Sequence, residues 1–305
     1  MPRFDTYRGF LFASLSSDVP TLEDYLGDAR PFLDIVADQA PQGLEYVPGT
    51  VTYTFDANWK LQFENGLDYY HFVSTHSSYI DVLGRRGTPT EIKSRLAALL
   101  RETSPDRQGS FSFRNGHSVM WSIRGDEDQL RPLAYDTDDF EALQANIAPH
   151  RLQWMLRQRN LTIFPNLQII DISSLQLRTW RPLAPDRTEM HSHCLEPIGE
   201  AAKARELRIR QYEDFFNLSG MATSDDNVMY EYCQSGYEAR DAGWTQGYAR
   251  GLGSDRGALE HSGDGFSFSP QDWREGDLTF GETCFHTGYR EWLRLLSQAG
   301  DLRNV

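Results

Sequence analysis

The chain has 305 residues, 39% of them hydrophobic and 12% aromatic, with a formal net charge of −14. That is enough apolar material for one large domain, and the acidic balance argues against nucleic acid and anionic membrane surfaces, which attract basic patches. No run approaches the roughly eighteen apolar residues of a spanning helix, and MPRFDTYRGF at the start has no apolar signal core, so a cytoplasmic protein without nucleic-acid or membrane partners is expected.

In chain order, residues 4 to 15 cluster Phe4, Tyr7, Phe10, Leu11, Phe12 and Leu15 in a strand-like run. Val19 to Ala37 reads as helix, with Thr21 as N-cap and Glu23 and Asp24 in the first turn. A turn at Pro41-Gln42-Gly43 leads to Leu44 to Asp56, whose VTYTF core alternates as a strand. The strand feeds directly into NWKLQFENGLDYYHFVSTHSSY, Asn58 to Tyr79. This stretch sets Asp68, His71 and His76 within nine positions, behind Glu64 and Asn65 and an apolar lead-in of Trp59, Leu61 and Phe63.

That is the composition of a metal site. On one straight helix, at about 100° per residue, His71 and His76 lie about 140° apart around the axis, too far apart to aim at one ion. A bulge or helix end between them is therefore predicted. Two imidazoles and one carboxylate, with positions left open, suit non-haem Fe(II), and by spacing alone Asp68 is the carboxylate.

Residues 84 to 109 hold an amphipathic helix whose Arg85, Arg86, Lys93, Arg95 and Arg101 read as a solvated basic face over the pocket. FSFRNGHSVMWSI reads as a strand pair turning at Asn115-Gly116, with His117 structural. Phe140 to Arg159 is helical with a break near Pro149. Leu161 to Trp180 and Thr188 to Leu195 give three strands, IFPNLQIID, SSLQLRTW and EMHSHCL, with turns at Ser173 and Pro185-Asp186. His191, His193 and Cys194 read as parts of a strand, and no Gly-rich phosphate loop follows any strand. Ala201 to Leu218 is an amphipathic helix ending at Gly220. Another helix follows, capped by Thr223 or Ser224, and its first-turn acids Asp225 and Asp226 fit capping and the helix dipole. Residues beyond Arg240 read as Gly- and Ser-rich loop. Thr283 to Asn304 is a helix with Trp292, Leu293, Leu295 and Leu296 on its apolar side. His261 and His286 are assigned no chemistry. Mixed strands and long helices without βαβ alternation argue an α+β fold.

NWKLQFENGLDYYHFVSTH closely resembles the iron-binding segment of the large (alpha) subunits of Rieske-type aromatic ring-hydroxylating dioxygenases, whose pattern runs N-W-K, E-N, then D-x2-H-x4-H. YRGFLFASL, FSFRNGHSVMW and RIRQYEDFFNLSGMATSDD are similar to the same family, most of all to its benzoate, toluate and anthranilate branch. The resemblance implies a helix-grip (Bet v1-like) catalytic domain over residues 1 to 305, binding one Fe(II) through His71, His76 and, from the second acid after G-x-A-T-x-D-D, Asp226. By the same resemblance Asp68 bridges His71 to a Rieske histidine of a neighbouring subunit, and Asn65 and Glu64 orient ligands; Glu231 is a weaker candidate for either role. A Rieske [2Fe-2S] cluster needs two cysteines and two histidines. The widely spaced Cys194, Cys233 and Cys284 lack the C-x-H and C-x2-H pairs, so the N-terminal Rieske domain is expected to be missing and the cluster to be supplied in trans. The implied reaction is cis-dihydroxylation of a benzoate-like acid with O2 and electrons from a reductase or ferredoxin, in a homotrimer or with a small beta subunit. A salicylate-type monooxygenase and a non-catalytic truncated subunit binding an aromatic ligand are the alternatives.

Overall fold

The computed structural model describes residues 1–86, 108–123, 131–135, 137–239, 249–250, 256–257, 273–276 and 281–301. His261, the greater part of the basic helix expected within 84 to 109, and most of the loop beyond Arg240 lie outside these residues.

The first apolar run is a hairpin rather than one strand, β1 (Arg3–Tyr7) paired with β2 (Phe10–Ser14). Its two-residue turn, Arg8-Gly9, has φ of 52° and 88°, the conformation that follows the twist of tight hairpins. The predicted N-terminal helix forms as α1 (Leu22–Leu26) and α2 (Arg30–Asp38), with Thr21 capping the first through Asp24 N. The break falls at Gly27, whose φ is 47°.

A ten-stranded antiparallel sheet forms the body. Its centre runs in sequence order: β5 (Gln108–Phe113), β6 (Ser118–Ser122), β7 (Gln158–Ile163), β8 (Leu167–Asp171), β9 (Leu175–Ala184) and β10 (Arg187–Pro197). β3 (Leu44–Tyr46) and β4 (Val51–Phe55) pair with β10, and β11 (Arg256–Gly257) and β12 (Trp273–Gly276) extend the opposite edge. The expected hairpin turns at Asn115-Gly116, where φ is 61° and 81°. IFPNLQIID is two strands, not one, because the chain reverses at Phe164-Pro165-Asn166 and pairs Ile163 with Leu167. His117 is structural: fully buried, it accepts from Phe164 N at 3.1 Å and donates to Tyr25 O at 2.8 Å. Burial pushes its pKa down to about 4.

Alternation along the strands separates two faces. One carries Phe111, Phe113, Val119, Trp121, Leu161 and Ile163 and packs on Phe32 of α2 and Trp154 of the helix Pro149–Leu156. The other carries buried polar residues, among them Ser110, Ser118, Asn160, Thr162, Gln168 and Gln176. Over this second face lie α3 (Trp59–Asn65), α4 (His71–Thr75) and α5 (Ser77–Arg86), with the later helices Met221–Tyr237 and Thr283–Asp301. The architecture is α+β of the helix-grip type, as expected. Two helix readings need correction. The Thr283–Asp301 helix turns Cys284, Phe285 and Trp292 to the core, while Leu293, Leu295 and Leu296 are exposed. The long helix predicted for Ala201 to Leu218 is α-helical over Ala202–Gln211 and then takes a wider turn of π type over Tyr212–Phe216. No helix among the described residues is long and apolar enough to cross a membrane.

Candidate metal centre

α3 is capped by Asn58, whose side chain accepts from Lys60 N at 3.1 Å, and it is pinned to the sheet by amides. Gln62 donates to Gln168 at 3.0 Å, and Gln168 returns a hydrogen bond to Phe63 O at 3.2 Å. Next along the chain Gly66 lies so close that an added Cβ would meet the Gln168 amide at 2.0 Å. The helix cannot continue, because residues 66 to 70 turn before α4 starts at His71. The predicted break between the histidines is present too: α4 ends at Thr75, and His76 leaves helical geometry with φ −102° and ψ 30°. The two rings come within 5.2 Å, centroid to centroid.

The carboxylate between them is Asp226. It arrives on the helix Met221–Tyr237, whose N-cap is Gly220; an added Cβ there would meet the Phe215 carbonyl at 2.6 Å. The expected caps fail, since Thr223 Oγ1 donates to Phe216 O at 2.7 Å and Ser224 Oγ to Gly220 O at 2.9 Å. The helix starts earlier, so Asp225 and Asp226 lie beyond its first turn, where no free N–H remains to be capped. Asp226 Oδ1 is 3.2 Å from His76 Nε2 and 3.7 Å from His71 Nε2. One donor atom from each of His71, His76 and Asp226 lies within 4.8 Å of the others.

The other candidates fall into three positions. Asn65 joins the group, with Nδ2 at 3.0 Å from Asp226 Oδ1 and 3.3 Å from His71 Nε2. Asp68 stands behind His71: its Oδ1 accepts from the His71 backbone N–H at 3.2 Å and its Oδ2 is 3.4 Å from Nδ1. Spacing had pointed to Asp68 as a ligand, but the structure sets it on the far nitrogen of His71. Glu64, expected to orient a ligand, has its carboxyl accept from the Tyr289 hydroxyl. Glu231 accepts from Asp56 N at 3.3 Å, away from the cluster. His191 and His193 bond to Glu189 and to threonines of the neighbouring chain segment and Cys194 is buried in the sheet, as a strand reading requires.

Burial disfavours the charged form of His71, yet Asp68 and Asp226 outweigh it and hold its pKa above the ordinary value. Asp226 and His76 are 7% and 2% exposed. Among the described residues the ion-pair partners of Asp226 are the two histidines alone. A buried carboxylate facing two imidazoles is short of positive charge, which a bound cation would supply, and this mixed N/O set fits Fe(II).

Glu64 carries its own consequence. Burial raises its carboxyl from the ordinary 4.5 to about 7, with Glu282 and Asp68 adding to the rise and Tyr289 and Lys60 opposing it. Between those values the folded chain keeps a proton that the unfolded chain has released, so this group's contribution to stability falls as pH rises. Glu64→Gln is expected to flatten the decline, by about 3 kcal/mol at most. Urea unfolding of both proteins across this pH range measures it; parallel curves would show that Glu64 titrates normally.

The model of the family described as ring hydroxylating alpha subunit (catalytic domain) matches residues 44–296. This chain belongs to that family. It is 41% identical over 264 residues to the toluate 1,2-dioxygenase alpha subunit of Pseudomonas putida, covering 85% of this chain and 56% of that one. With the anthranilate 1,2-dioxygenase large subunit of Acinetobacter baylyi it shares 42% over 259 residues, 80% and 53% of the two chains. The chain thus spans just over half the length of these curated relatives. Among solved structures, a naphthalene 1,2-dioxygenase from Rhodococcus sp. superposes with a TM-score of 0.76 at 24% identity, over 97% of this chain and 66% of that one, a likeness of fold. The family implies non-haem iron.

Sequence reasoning missed the amide supports, Gln62, Gln168 and Asn160, whose Nδ2 donates to Gly66 O at 3.0 Å, and the Tyr289 partner of Glu64. Alternate polar residues in QRNLT were a usable signal for Asn160; nothing local connects positions 64 and 289.

Proposed function

We propose that this chain is the iron-holding part of the terminal oxygenase of an aromatic-acid ring-hydroxylating system, which cis-dihydroxylates a benzoate-like acid with O2. The observation that carries the reading is the meeting of His71, His76 and Asp226 donor atoms within 4.8 Å. Likeness to toluate, 2-halobenzoate and anthranilate dioxygenases supports an aromatic carboxylic acid as substrate.

His71, His76 and Asp226 would hold the metal, and Fe(II) when bound supplies the redox chemistry by which O2 reacts with an aromatic ring. The chain's own residues prepare the donors. A ligating imidazole must be neutral with a free lone pair, and an acceptor at its other nitrogen keeps the proton there. Asp68 sits on the far side of His71 in that way, and Asp225 Oδ2 lies 3.5 Å from His76 Nδ1. Asn65 ties Asp226 to the edge of His71. Phe72 and Phe215, with rings 5.7 and 5.2 Å from that of His76, keep water from the inner histidine.

Electrons come in this reading from a Rieske [2Fe-2S] cluster fed by a reductase or ferredoxin. Cys194, Cys233 and Cys284 occupy separate places, two buried and one exposed, and in this reading another polypeptide supplies the cluster. In this reading Asp68, with its side chain 15% exposed, would link His71 to that cluster in a homotrimer or in an assembly with a small beta subunit.

Anaerobic reconstitution with Fe(II) followed by elemental analysis tests the reading. About one iron per chain is expected in the wild type and little in His71→Ala; a wild type that takes up no iron would sink it.

A further inference from the structure

Arg178, on β9, is 3% exposed. Its charge meets no carboxylate among the described residues, whereas Arg131, Arg159 and Arg208, buried as deeply, each face one. Its Nε has no hydrogen-bond partner among them either. A buried cation without a counter-ion is costly, so Arg178 is kept for something other than an ion pair.

The guanidinium grips the segment that delivers Asp226. Its Nη2 donates to Phe216 O at 3.1 Å and to Thr223 Oγ1 at 3.2 Å, and the Thr223 hydroxyl donates in turn to Phe216 O. Donors and acceptors balance in this ring, because Nη2 carries two N–H groups and a hydroxyl both accepts and donates. The ring ties the end of the wide turn Tyr212–Phe216 to the start of the helix Met221–Tyr237. Thr223 and Asp226 are three apart on that helix, about 60° around the axis and about 4.5 Å along it, and both are buried. The clamp therefore stands one turn behind the carboxylate that lies between the histidines.

Opposite Arg178 on β8 is Gln168, the residue that pins α3. Residues directly opposite in a sheet share a face, with Cβ atoms about 4.5–5.5 Å apart. One cross-strand pair thus holds both halves of the donor set. Gln168 takes Gln62 and Phe63, ahead of His71 and His76, and Arg178 takes Thr223, ahead of Asp226.

We propose that the pair Gln168 and Arg178 sets the separation between the two histidines and the aspartate, with Arg178 the positioning residue for Asp226 through Thr223. A charged donor suits that role, since its hydrogen bonds are roughly twice as strong as neutral ones. The charge itself opposes a bound cation, so removing it would by electrostatics alone tighten Fe(II) binding. Removing the clamp would weaken it. The two effects have opposite signs and can be told apart.

The inference rests on the iron-site reading and deepens it. Its test is anaerobic competition for Fe(II) against a chelator, with urea unfolding of each apoprotein, for Arg178→Met, Thr223→Val, their double variant and Thr223→Ser. Arg178→Met and Thr223→Val are each expected to lose about tenfold in affinity. The double variant should lose no more than the larger single loss, because both substitutions break one link. Thr223→Ser keeps the hydroxyl and is expected to bind as the wild type does. Unfolding registers stability separately, so variants that are less stable yet bind Fe(II) normally overturn the proposal, and so does tighter binding by Arg178→Met. Wild-type affinity in Thr223→Val overturns it even if Arg178→Met does not fold, and leaves the iron-site reading standing. A wild type that binds no Fe(II) overturns both.

Discussion

Asp171→Ala is expected to cost about 3–5 kcal/mol, a large part of the about 5–15 kcal/mol that holds a typical domain folded. Asp171 ends β8 at 1% exposure, between Arg131 and Arg159, each about as deeply buried. Its two oxygens take one guanidinium apiece, and Gln39 Nε2 adds a contact at 3.3 Å. Arg131 also donates to the Asp171 main-chain carbonyl at 2.7 Å. Burial alone would raise the carboxyl's pKa, but the two cations prevail and hold it below the ordinary value. Its stabilising effect is therefore present above the unfolded pKa and lost as pH falls through the folded one. The alanine leaves two buried cations facing each other, which is worse than having no charges there at all. Replacing all three residues with apolar ones of similar volume should hurt far less than the single substitution. Urea unfolding of the single and triple variants decides it, and a single-variant loss under about 1 kcal/mol would mean that water reaches the arginines.

Where local rules suffice, the sequence was readable. Thr21 caps its helix, Asn115-Gly116 turns its hairpin, and the awkward spacing of His71 and His76 correctly required the helix to end between them. Where a local signal competed with a long-range contact, the contact won. Thr223 and Ser224 look like caps, but Thr223 is drawn to the carbonyl of Phe216 and the helix starts before them. The leucines after Trp292 look like a buried stripe, yet the helix presents Cys284 and Phe285 to the core, and Gly288 comes so near Phe63 that an added Cβ would lie 2.2 Å from its ring. The strand reading of IFPNLQIID overlooked that Pro165 has no N–H to give a ladder. Spacing also could not choose between Asp68 and a carboxylate 150 residues away, since topology alone brings Asp226 to the histidines; there only the resemblance pointed to the residue that the structure sets between them.

The adjacent acids Asp225 and Asp226 should behave differently when each is removed. Neighbours on a helix point about 100° apart, so one carboxylate faces the donors and the other the outer edge of His76. Asp226 has its side chain 9% exposed and approaches both Nε2 atoms; Asp225, 31% exposed, reaches among the described residues His76 Nδ1 at 3.5 Å and Ser78 Oγ at 3.4 Å. Asp226→Ala removes a direct donor and leaves two imidazoles, so its Fe(II) affinity is expected to fall more than a hundredfold, beyond the roughly 10–100-fold that loss of an outer partner costs. Asp225→Ala loses an outer partner through a long contact, so its effect belongs at the low end of that range. Competition for Fe(II) against a coloured chelator under anaerobic conditions gives both constants, and circular dichroism checks that each variant is folded. Equal loss in the two variants would mean that the donor group is organised by the charge of the helix segment rather than by Asp226, and the assignment of the third ligand would have to be withdrawn.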